Sequence, residues 1–240
     1  MRPTSMRTPT TISALLVLAL LGGCGAETTH TEPVRPAQWG DCTLDALETA
    51  GGTEVATISD AGTAETTVRL VPPGDGPCAG GLVARSDSGV EGLAAAGLDL
   101  DVDSARVVTL AGGDEILLAN GGAHPRGGFQ PHVFAFDDGL HEVLVEGNPL
   151  LPFVATDGGG LPATATCRDD GGIDVLAATT SEPPGVVMAW DVQRTSYRLD
   201  GGEATRTGTR QIRDHAADPV LREEMPALFE PDGFFSDCGG

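Results

Sequence analysis

The chain of 240 residues contains no lysine, and all 14 of its basic residues are arginine. That removes a Schiff-base amine and the lysine of a phosphate-cradling glycine loop. Basic charge is scarce altogether: 35 acidic residues leave a formal net charge of −21 and a pI of about 4.3. A nucleic-acid surface needs a positive field, so no nucleic-acid partner is expected. Aromatic residues make up only 4%, with two Trp and one Tyr. No Cys-x-x-Cys is present, which leaves thioredoxin-like exchange and a four-thiolate zinc site without their usual spacing. No Gly-x-Ser-x-Gly elbow appears either. Nothing in the sequence marks an enzyme firmly. Disorder fits poorly as well, because 40% of the residues are hydrophobic and recur in strand-like runs.

The first residues carry an address. Arg2 and Arg7 precede an apolar run from Ile12 to Leu21, and no acid occurs before Glu27. The run is shorter than the roughly 20 residues that span a bilayer, and it matches a signal-peptide core. Leu21-Gly22-Gly23-Cys24 follows. This resembles the lipobox of bacterial lipoprotein precursors. The resemblance implies cleavage before Cys24, a diacylglycerol thioether on its sulfur, and a membrane partner held through that lipid. An ordinary secretory signal, leaving Cys24 structural, is the competing reading. On the lipoprotein reading, residues 1–23 are the signal peptide and 24–38, polar and Pro-containing, are a flexible tether. Residues 39–240 are the folded domain. Its location is then the extracytoplasmic face of the cell membrane. Abundant Arg and Ala without Lys points to a GC-rich genome, in keeping with a high-GC Gram-positive bacterium.

Four cysteines remain beyond Cys24: Cys42, Cys78, Cys167 and Cys238. An even count outside the cytoplasm reads as two disulfides with three possible pairings. The favoured one, Cys42–Cys78 with Cys167–Cys238, staples each end of the domain.

From Glu54 onward, short runs with period-2 alternation are separated by glycine pairs and Asp-Gly turns, the pattern of an all-β domain. Asp41 to Ala50 reads as a short helix. A second helix is expected from Asp218, as N-cap, with Pro219 in its first turn. His132 to Phe136, Asp138-Gly139 and Leu140 to Val145 read as a hairpin with a two-residue turn. That turn pairs Phe136 with His141 and puts His132, Phe134, Phe136, His141, Val143 and Val145 on one core face. Gly112-Gly113 and Gly171-Gly172 each introduce an acid and an aliphatic run, a weak internal echo. Phe234 and Phe235 are expected to pack on the sheet. The region resembles a blade of secreted bacterial β-propellers. Its candidate strands make three blades of four, short of the four to eight that close a propeller. A two-layer β-sandwich with short terminal helices is therefore the leading fold, with a small or incomplete propeller as the alternative.

Three constellations stand out chemically. Asp99, Asp101 and Asp103 resemble the opening of a calcium loop, making calcium the one cofactor with a candidate site. Ser104 stands where the turn glycine belongs, and alternation with Leu98, Leu100 and Val102 equally describes a strand with one solvated face. His124, His132 and His141 are the candidate ligands for a metal-assisted hydrolase, though they lack the close pair usual in catalytic zinc sites. Trp190, Arg194, Tyr197 and Arg198 form a candidate patch for a glycan or an acidic group of an envelope protein. The plainer reading buries Trp190 and leaves the arginines to nearby carboxylates. A non-catalytic binding or structural role at the cell envelope is the leading functional expectation. The metal-assisted hydrolase and a calcium-stabilised β-repeat are its alternatives.

Overall fold

The computed structural model describes residues 42, 46, 49, 51–59, 65–72, 78–86, 89–94, 100–121, 127–136, 139–154, 161–180, 182, 189–230 and 233–238. The domain is all-β with the short α-helix Asp218–Glu224; Ala46 and Thr49, inside the stretch expected to be helical, are helical as well. A first sheet is an antiparallel meander of β1 (Thr53–Ser59), β2 (Glu65–Leu70), β3 (Leu82–Ser86) and β4 (Gly89–Ala94). A second repeats the pattern with β5 (Leu100–Thr109), β6 (Glu115–Gly121), β7 (Pro131–Phe136) and β8 (Leu140–Glu142). The third contains β11 (Ala163–Cys167), β12 (Ile173–Thr179), β13 (Ala189–Asp200) and β14 (Glu203–Ala217). Two short strands, β9 (Leu144–Val145) and β10 (Asn148–Pro149), extend it beyond β14 through one parallel pair, Glu203 with Leu144.

Packing explains the apolar runs of the second sheet. Leu117, Ala119 and Phe134 share a core with Ile58, Val68, Leu70 and Leu82 of the first sheet. Ile116, Leu118, Val133 and Ala135 alternate with them and join Ala163, Ala165, Ile173 and Val175 of the third. Both faces of β6 and β7 are therefore covered, so apolar residues run almost continuously there. On the other side of the third sheet, Leu176, Ala178, Trp190 and Val192 are covered by Leu221 and Leu228. These come from the helix Asp218–Glu224 and the 3₁₀ turn Pro226–Leu228.

The echoing glycine pairs occupy matching turns. Leu110 N–H donates to Asp114 O across the β5–β6 turn, and Arg168 N–H donates to Gly172 O across the β11–β12 turn. Gly113 and Gly171 hold φ of 91° and 80°, where a side chain is strained. A Cβ on Gly171 lies 3.7 Å from Gly112 N, so the two turns are neighbours.

The cysteines pair as Cys42–Cys78 and Cys167–Cys238. The second bond holds residues 233–238 against β11. Phe234 and Phe235 enter the core between the second and third sheets, and Phe235 N–H donates to Ala165 O at 2.6 Å.

Two local expectations are corrected. Phe136 pairs with Leu140, Ala135 with His141 and Phe134 with Glu142, so the hairpin loop has three residues and the register moves by one. A one-residue slip exchanges the faces of every side chain on the second strand. His141 therefore leaves the face of His132, and Glu142 takes its place. Asp218 is also not an N-cap. It is the first helical residue, Ala217 precedes it, and no side chain caps the helix. The Asp218 carboxylate instead accepts hydrogen bonds from Trp190 Nε1 at 2.8 Å and Arg222 Nε at 2.8 Å.

Those bonds have a pH consequence. The Arg222 bond, helped by that from Trp190 and by the Arg222 charge, holds the Asp218 carboxyl below the ordinary range despite partial desolvation. A carboxyl whose pKa is depressed on folding stabilises the fold above its unfolded value, near 3.9, and loses that contribution as pH falls through the folded value. Stability is expected to decline on acidification below about pH 4. Asp218→Asn is expected to flatten that part of the profile in urea titrations followed by tryptophan fluorescence.

Candidate functional site: an arginine-bordered concavity on the third sheet

The outward face of the third sheet is divided. One part lies under the helix; the rest is open and polar. Strand register builds the open part as cross-strand rows. Thr166 pairs with Asp174, Asp174 with Ser196, and Ser196 with Gly208, one residue from each of four strands. In the next row Leu176 pairs with Arg194, and Arg194 with Arg210. The β11–β12 turn supplies Arg168, Asp169 and Asp170 at the rim. All of these residues except Leu176, which lies under the helix, line a concavity of about 740 Å³. A Cβ on Gly208 meets nothing within 4 Å, so the floor is open there.

Asp174 is the buried carboxylate of the floor, 8% exposed. It is held from several directions. Ser196 Oγ donates to its Oδ1 at 2.6 Å, Arg168 Nη1 lies 3.7 Å from the same oxygen, and Arg194 Nε lies 3.5 Å from Oδ2. Arg168 is committed further, donating from Nε and Nη2 to Asp170 at 2.9 and 2.5 Å. That bond is the main reason the Asp170 carboxyl is held below its ordinary range, with help from the Gly172 N–H.

The β13–β14 side differs. Arg194 Nε is within ion-pair range of Asp174 yet buried without a hydrogen bond. Directly across the ladder stands Arg210, exposed and without an ion pair among the described residues. Like charges directly opposed across an antiparallel pair destabilise it. The two guanidiniums also border a second concavity of about 380 Å³, with Gln211, Ile212, Arg213 and Met225. An opposed and incompletely paired cationic couple is a place where an anion can be held. Asp169 at the rim opposes such a ligand.

The residues singled out from sequence are placed as follows. Trp190 is buried against Phe229, centroids 6.4 Å apart, and faces the helix. Tyr197 lies on the opposite face, in the core with Ala204 and Phe234. Arg198 is exposed near the far end of β13, while Arg194 alone of the four belongs to the concavity. Those four side chains do not converge. Sequence does not single out Arg210 and Arg168, because their neighbours are set by register; the strand read at Ala204 to Thr207 is the start of β14, and Gly208 to Ala217 has too little alternation to extend it.

Asp101 and Asp103 are exposed on β5, at an irregularity between the pairs Asp101–Asn120 and Arg106–Leu118. Asp101 turns its carboxylate to its own backbone, accepting from Asp103 N–H at 3.1 Å. Ser104 Oγ donates to Asp101 O and accepts from Asn120 N–H, bridging the distorted ladder. Asp99 lies outside the described residues, as does His124. No group of three metal-ligating side chains occurs among the described residues. His132 is buried, with Nδ1 2.6 Å from Glu142 Oε1. His141 sits opposite Ala135 on the other face, so this pair of imidazoles does not share a centre.

His132 explains Gly121. A Cβ there sits 2.9 Å from His132 Nε2 and 3.2 Å from Gln130 O. The ring is held by Glu142 and has little room to withdraw. Gly121→Ala is expected to cost about 1–3 kcal/mol, the usual range for overpacking, seen as a lower urea midpoint at unchanged slope.

No family model, curated protein or solved structure matches the chain. Among the described residues, no helix is long and apolar enough to cross a membrane.

Proposed function

We propose that the chain is a lipid-anchored protein of the extracytoplasmic membrane face that binds carboxylate-bearing partners without catalysing a reaction. The lipobox Leu21-Gly22-Gly23-Cys24 supports the anchor, and the two disulfides fit an oxidising compartment. The observation that carries the binding reading is the Arg194–Arg210 couple, opposed across the ladder at a concavity of about 740 Å³. A carboxylate seated between them accepts charge-assisted hydrogen bonds and relieves their repulsion. Asp174 and Asp170 hold Arg194 and Arg168 in position from the other side.

We also read the three meanders as blade-like units of an incomplete propeller. Consecutive four-stranded antiparallel meanders packed face to face support that reading, as do the neighbouring β5–β6 and β11–β12 turns.

The binding test uses two carboxylate polyanions, polygalacturonate and poly-glutamate, titrated against the full chain at low salt. At least one is expected to bind, and Arg210→Glu is expected to weaken it at least tenfold without lowering stability, since Arg210 is exposed. Binding of neither, or equal binding by the variant, contradicts the proposal.

A further inference from the structure

The strand that carries Arg210 is also an edge. β14 is 15 residues long and pairs with β13 along nearly its whole length. On its other side, among the described residues, it pairs only at Glu203, with Leu144. From Thr205 to Asp214 the edge is open and almost wholly exposed. Register shifts against β13 at Thr207 and Ile212 interrupt it, and the Ile212 and Arg213 carbonyls accept from the Arg213 and Gln211 side chains, so the regular open stretch is Gly208 to Gln211 around Arg210. Such an edge is a template for an added strand.

Charge selects what can pair there. Arg206, Arg210 and Arg213 fall along this edge, with no acid between Glu203 and Asp214; Arg213 is paired with Glu224, which leaves Arg206 and Arg210 without an ion pair among the described residues. A second copy adding its own β14 antiparallel sets these arginines against one another. A neutral strand gains the backbone bonds alone. An extended segment with acids at alternate positions gains both, because its outward-facing carboxylates stand beside Arg210 and the concavity.

From this we infer that β14 is a strand-addition site for an extended acidic peptide of a partner protein. The inference rests on the proposed carboxylate reading of the concavity. It adds that main-chain pairing supplies affinity and that Arg210 reads an acid at a fixed register.

The test titrates the full chain with fluorescent (Thr-Glu)₅, with its (Thr-Gln)₅ counterpart, and with (Thr-Glu)₅ N-methylated at alternate residues along either edge. The expected result is binding of (Thr-Glu)₅ that is at least tenfold tighter than that of either the Gln peptide or one N-methylated form. Equal binding of both N-methylated forms overturns strand addition while leaving anion binding at the concavity intact. Absence of binding by (Thr-Glu)₅, polygalacturonate and poly-glutamate together overturns the underlying reading. A dimer in sedimentation that (Thr-Glu)₅ dissolves assigns the edge to a second copy and overturns the inference too.

Discussion

Phe234→Ala is expected to destabilise the fold by about 3–5 kcal/mol, the range for truncating a buried aromatic. Phe234 is 1% exposed in the core shared by the second and third sheets. What places it near the top of that range is the way its segment is held. Thr164 Oγ1 donates to Gly233 O at 2.8 Å, Phe235 N–H donates to Ala165 O, and an Arg106 guanidinium N–H donates to Phe234 O. The Cys167–Cys238 bond then ties the segment to β11. A chain held at so many points cannot collapse into the space the ring leaves, and the cost of a cavity grows with the volume that stays open. Urea unfolding checks this, with Leu161→Ala as reference. Leu161 is 50% exposed, so its change belongs within about 0.5 kcal/mol. A loss below about 1 kcal/mol for Phe234 is far under the cavity range and contradicts this packing.

Replacing Cys167 and Cys238 together by serine is expected to cost about 2–4 kcal/mol, and more than the same exchange at Cys42 and Cys78. The first bond closes a separation of 71 residues and the second one of 36, so the first restricts the unfolded chain more. It also holds Phe234 and Phe235 in the main core, whereas Cys42 and Cys78 pack in a small satellite cluster with Val83. Removing both partners avoids a stray thiol. The Cys167/Cys238 variant is therefore expected to show the lower urea midpoint of the two, and the reverse order contradicts the role given to residues 233–238.

Much of the architecture is readable from the residues, and where it is not, a particular physical cause can be named. Apolar runs between glycine turns mark β6, β7, β11 and β12, because those strands are anchored in cores. β14 is marked only at its start, Ala204 to Thr207; beyond that its backbone is ordered by pairing with β13 while most of its side chains face solvent, so no hydrophobic alternation marks it. β13 reads as two strands, Val186 to Trp190 and Ser196 to Leu199, since its polar middle at Gln193 to Thr195 resembles a loop. The β7–β8 register turns on one loop residue, and that residue decides which of His141 and Glu142 meets His132. The candidate site depends on the same kind of information. Arg168, Arg194 and Arg210 are scattered in sequence, and only the pairing of β11 to β14 gathers them around Asp174.

The central claim, an anion seat between Arg194 and Arg210, is tested most directly by arginine side-chain Nε–Hε NMR during titration with polygalacturonate. The Arg194 and Arg210 signals are expected to move together and saturate, while that of Arg69, exposed on the first sheet near Glu54, stays in place. Equal movement of Arg69, or stationary Arg194 and Arg210 signals, contradicts the seat.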